Sequence, residues 1–77
     1  MTQEEIEKIP LRFQCHTSME HEHTTTYSAE YKGHSFGLCV HVPFQDGEPK
    51  GREHKHYMVD GHVFKTRKKF IEYCECL

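Results

Sequence analysis

No stretch of this chain approaches the roughly 18 consecutive apolar residues that a membrane-crossing helix needs. No internal repeat and no low-complexity tract occurs, which argues against solenoids and against a linker-like chain. Neither sign of charge dominates, because ten Lys and Arg stand against twelve Asp and Glu for a formal charge of −2. No nucleophile elbow is expected, and the HExxH spacing of metalloproteases and a phosphate-cradling glycine loop are absent, so no enzyme is expected. The opening, Met1 to Ile9, is acidic and lacks the basic start and apolar centre of a secretory signal, so a cytoplasmic protein without membrane attachment is expected.

What the chain does contain is one small domain's worth of sequence, residues 1–77. A domain of this length buries only about 60% of the surface its unfolded chain exposes, so a metal, a partner or self-association could add stability. Eight histidines and four cysteines stand out. In a reducing compartment the cysteines are thiols or metal ligands sooner than disulfides.

The first segment, Thr2-Gln3-Glu4-Glu5, carries a capping box: Thr2 can cap a helix while Glu5, three residues on, reaches back. Pro10 stops that helix after about two turns, over residues 3–8. Beyond it the period changes to two. Leu11, Phe13, Cys15 and Thr17 alternate with Arg12, Gln14, His16 and Ser18, which places Cys15 on the apolar side as a buried thiol. Thr25, Tyr27, Ala29 and Tyr31 form a second such set, and Phe36, Leu38, Val40 and Val42 a third. Lys32-Gly33 and Asp60-Gly61 are two-residue turn signals, whereas residues 43–52, with two prolines and two glycines, read as one long loop. Residues 53–59 and 62–65 complete a final hairpin. From Thr66 the period returns to 3.6, and Phe70, Tyr73, Cys74 and Leu77 share one helical face.

The tight turns specify register. A turn at 32–33 sets Tyr27 opposite Leu38 and Ala29 opposite Phe36, and one at 60–61 sets Tyr57 opposite Phe64. A symmetric long loop sets Leu38 opposite Tyr57. All three put the apolar residues on one face. The expected fold is α+β: a five-stranded antiparallel meander with the C-terminal helix on its apolar face and a short N-terminal helix. Its first and last strands are open edges, and a homodimer through an edge strand is one expected association.

The same register collects Cys39, His41, His54 and His56 on the opposite face, with His41 opposite His54 and Cys39 opposite His56. Directly opposed Cβ atoms lie about 4.5–5.5 Å apart, so these four could hold Zn2+ tetrahedrally. Against this stands the plainer reading of a solvated polar face shared with Thr24, Thr26, Ser28 and Lys65. His21-Glu22-His23, a second pair of alternate histidines, falls where a loop is expected. Cys74 and Cys76 are two apart on a helix and face away from each other, which disfavours chelation. Lys65, Arg67, Lys68 and Lys69 put four basic residues at a helix start, where the macrodipole disfavours them. They are a candidate binding surface for a nucleic acid or an acidic partner, although no aromatic rings interleave with them as in single-strand binders. The expectation is a small non-catalytic binding or regulatory domain acting through contact with a protein partner. A zinc-stabilised domain and a nucleic-acid-binding protein are the alternatives.

Overall fold

A computed structural model describes all 77 residues. Helix α1 (Gln3–Glu7) is followed by strands β1 (Arg12–Ser18), β2 (Glu22–Tyr31), β3 (His34–Gln45), β4 (Glu48–Pro49), β5 (His54–Val59) and β6 (His62–Phe64). Helix α2 (Arg67–Glu75) ends the chain. The strands form one antiparallel sheet in the order β1-β2-β3-β5-β6, and the two-residue β4 pairs only with the far end of β3. The architecture is therefore α+β, with six strands rather than five.

Three expected registers are present: Tyr27 faces Leu38, Leu38 faces Tyr57 and Tyr57 faces Phe64. The turns that set them need left-handed backbone, and Lys32-Gly33 and Asp60-Gly61 adopt it, with φ of 50° and 80° at the first and 47° and 87° at the second. Asp60 also ties its turn to the start of β3. Its carboxylate accepts from the Ser35 backbone N–H at 2.9 Å and from His34 Nδ1 at 2.7 Å. These contacts hold the Asp60 carboxyl below its ordinary range, the Ser35 amide contributing most.

Three expectations are corrected. Residues 43–52 are not one loop, because β3 continues to Gln45 and turns at Asp46-Gly47 (φ 53° and 79°) into β4. His21-Glu22-His23 does not lie wholly in a loop either: β2 begins at Glu22, and His23 pairs with Ser18 on one side and Val42 on the other. Finally, Cys15 is exposed rather than buried. Phe13 faces Tyr27 but Cys15 faces Thr26, so Gln14 is a bulge residue that reverses the alternation and turns Cys15 to the polar face.

The core lies at one end of the sheet. Helix α2 packs on β5 and β6, and α1 packs on α2. Ile6, Phe36, Tyr57, Val59, Phe70 and Cys74 are the only buried residues, Val59 and Cys74 with no exposed area at all. Burial raises the Cys74 thiol pKa. The Phe70 ring lies over Tyr57 with centroids 5.1 Å apart and meets Phe36 edge-on at 6.4 Å. Both helices are capped as their sequences require: Thr2 and Glu5 complete the capping box, and the Thr66 hydroxyl accepts the Lys69 N–H at 3.2 Å. A 2.7 Å ion pair from Lys32 to Glu5 attaches α1 to the β2–β3 turn. The Met1 ammonium donates to the Cys74 and Leu77 carbonyls, each at 2.9 Å, at the negative end of α2.

Candidate functional site: the two faces of the sheet

Strand alternation divides the side chains cleanly. One face carries Arg12, Thr24, Thr26, Ser28, Cys39, His41, His54 and His56, with Cys15 and Thr17 added from β1 by the bulge. The expected juxtaposition is present in the backbone: His41 faces His54, and Cys39 faces His56. The side chains then settle what that juxtaposition does. His41 Nδ1 lies 3.1 Å from Glu22 Oε1 and 3.0 Å from the Thr24 hydroxyl. A carboxylate only accepts, so the hydrogen sits on Nδ1 and the ring is held toward β2. The His41 and His56 rings meet at 5.0 Å in an edge contact. Cys39 Sγ lies 3.8 Å from the Thr26 hydroxyl. A shallow concavity is lined by Glu22, His41, His54, His56 and Lys65, without Cys39. No group of three or more His, Cys, Asp or Glu side chains stands arranged to hold a metal ion.

The basic residues Lys65, Arg67, Lys68 and Lys69 are all exposed, as expected of a helix start. Lys69 approaches Glu72 at 3.9 Å, one turn on. The four do not join the histidine concavity as a set, since Lys65 alone lines it.

The run Gly33-His34-Ser35-Phe36-Gly37 spells the G-x-S-x-G pattern of hydrolase nucleophiles, with the His34–Asp60 pair beside it. A nucleophile elbow is among the features the chain is expected to lack, yet this run carries its spelling. In hydrolases that pattern forms a sharp strand-to-helix turn. Here it follows a hairpin turn and runs along β3. His34 and Ser35, consecutive on a strand, point to opposite faces, so the histidine does not reach the serine hydroxyl.

The opposite face differs along its length. Near the 32–33 turn it is the core. Farther along β1, β2 and β3 it presents Phe13, Tyr27, Val40, Val42 and Phe44, which take no part in the core. Neither helix packs on β1 or β2. Phe13 is 61% exposed and meets Tyr27 edge-on at 6.4 Å. Phe44 stacks flat on His23 with centroids 3.6 Å apart. Ser18 bridges His23 and His16, and His16 Nδ1 reaches the Thr25 hydroxyl at 2.9 Å. Between this region and the helices lies a groove of ≈ 350 Å³, walled mainly by apolar residues such as Ile9, Leu11 and Leu38, with Glu7, Lys55 and Arg67 also on its wall. The uncovered apolar face escapes the sequence reading because a 3.6-period stripe shows that a helix covers a sheet, not how much of it. Length is a partial signal: a nine-residue helix spans about 13 Å by its rise, the alternating run 36–42 about 23 Å, and the strand as formed, twelve residues, about 40 Å.

No family model, no curated protein and no solved structure matches this chain. No helix of the structure is long and apolar enough to cross a membrane.

Proposed function

We propose that this chain is a small non-catalytic binding domain that acts by docking the uncovered half of its apolar sheet face against an apolar protein surface. One observation supports this reading above the others: Tyr27, Val40, Val42 and Phe44 line a sheet face that no element of the chain covers. Exposed apolar side chains beside a groove, interleaved here with His23 and Thr25 of β2, are characteristic of protein contact sites. Sheet faces in small α+β domains ordinarily pack against a second layer, and here that layer is incomplete. The polar face offers no comparable apolar area, since threonine, serine and histidine dominate it.

A photo-reactive phenylalanine analogue at Phe13, on the docking face, tests the reading against the same analogue at Val63, which is 60% exposed on the other face. In the native host the Phe13 position is expected to cross-link to a protein identified by mass spectrometry. The product should be lost when Val42→Glu is added. Equal labelling at both positions, or capture that survives Val42→Glu, rejects it.

A further inference from the structure

We infer that the protein surface occupying the uncovered face is a second copy of this chain, so that two apolar half-faces pack together about a two-fold axis. The inference rests on the docking reading above and names its partner.

Area carries the argument. Folded monomers of 9.2 kDa expose about 4,900 Å² by the usual scaling of surface with mass. This chain exposes 5595 Å². The surplus of about 700 Å² is close to the roughly 800 Å² that each partner buries in a stable interface of ordinary size. Shape agrees with area. The radius of gyration is 13.8 Å, against about 11.5 Å for a compact 77-residue domain, and the extents are 43 × 21 × 20 Å. Both departures have one structural origin, the length of β2 and β3 that runs beyond the helices.

Self-docking also meets little electrostatic resistance. Among the strand residues of this face, histidines aside, Lys55 alone carries a full charge, and it pairs with Glu53 at 3.5 Å; the adjoining groove adds Glu7 and Arg67, one charge of each sign. A symmetric contact repeats every charge against its own copy, so a face rich in lysine or in glutamate would repel itself. This one presents valines, aromatic rings and threonine instead. A second sheet would lie about 10 Å above the first, roughly the level at which α2 already sits. The helix of each copy then flanks the docked sheet of the other, and the groove walled by Ile9, Leu11 and Leu38 closes at that junction.

Analytical ultracentrifugation of the full chain from about 5 to 200 μM tests this. The expected result is a reversible species of twice 9.2 kDa. Val42→Glu and Phe13→Glu, each burying a charge in the contact, should weaken it more than about tenfold. Phe13 is already 61% exposed within the monomer, so its variant folds even if Val42→Glu does not, and circular dichroism verifies folding in each. Val63→Glu, on the opposite face, should leave the dimer intact. A monomer at 200 μM overturns the inference, and so does a dimer that survives both face variants or is lost equally in Val63→Glu. If the wild type is monomeric while Phe13 still cross-links to another protein, only the second-copy inference falls and the docking reading stands.

Discussion

The rings of Tyr57 and Phe70 lie 5.1 Å apart with their planes 24° from parallel. This stack joins the middle of β5 to the first turns of α2. Because the close backbone approach of α2 to the sheet is at β5 and β6, the attachment of the helical layer to the sheet depends heavily on this contact and on Phe36 of β3, edge-on to the same ring at 6.4 Å.

Phe70→Ala removes the ring at the centre of the six-residue core. Truncating a buried phenylalanine costs about 3–5 kcal/mol, while a chain of this length has about 4–12 kcal/mol in total. The variant is therefore expected to lose most of its cooperative urea transition at 25 °C. Val63→Ala, at an exposed position, should stay within about 0.5 kcal/mol of wild type. A Phe70→Ala midpoint close to wild type would mean that α2 is not held by this stack.

Acid should loosen α1. The Lys32 ammonium lowers the Glu5 pKa from 4.5 to about 2, and the Thr2 backbone N–H adds to it. The unfolded chain therefore binds a proton before the folded one does. The contribution of Glu5 is fully present above about pH 4.5 and fades as the pH falls toward about 2. Glu5→Gln keeps an acceptor for the Thr2 N–H but loses the ion pair. Its melting temperature should lie below wild type at pH 7 and meet it near pH 2. A gap of constant width across that range would show that the Glu5–Lys32 pair contributes nothing.

Chelation tests the histidine face. With His41 turned to Glu22 and Thr24 and no three-donor group in place, EDTA is expected to leave the melting temperature of untagged protein unchanged. Structural zinc contributes folding free energy directly. A fall of many degrees would therefore show a metal drawing Cys39, His41, His54 and His56 together.

Much of the fold was legible because two-residue turns leave little freedom. Lys32-Gly33 and Asp60-Gly61 each dictate which residues pair, and everything between them follows in steps of two. Asp46-Gly47 carries the same signal, but the prolines and glycines around it mask a hairpin whose second strand is only two residues long. The bulge at Gln14 has no such marker, and it alone moves Cys15 from one face to the other. For the histidines, the sequence pattern and turns place His41 opposite His54. They are silent on rotamers, which depend here on Glu22, a residue that the sequence reading puts in a loop.

The two open edges of this sheet are unequal. β1 is seven residues long and interrupted at Gln14, whereas β6 is three residues long. Continuous filaments grow when one edge of each molecule fits the opposite edge of the next, indefinitely. Here the longer edge is kinked by its extra residue and the other is too short to template it. Head-to-tail pairing of β1 with the β6 of the next copy is thus opposed from both sides, by the kink at Gln14 and by the shortness of β6.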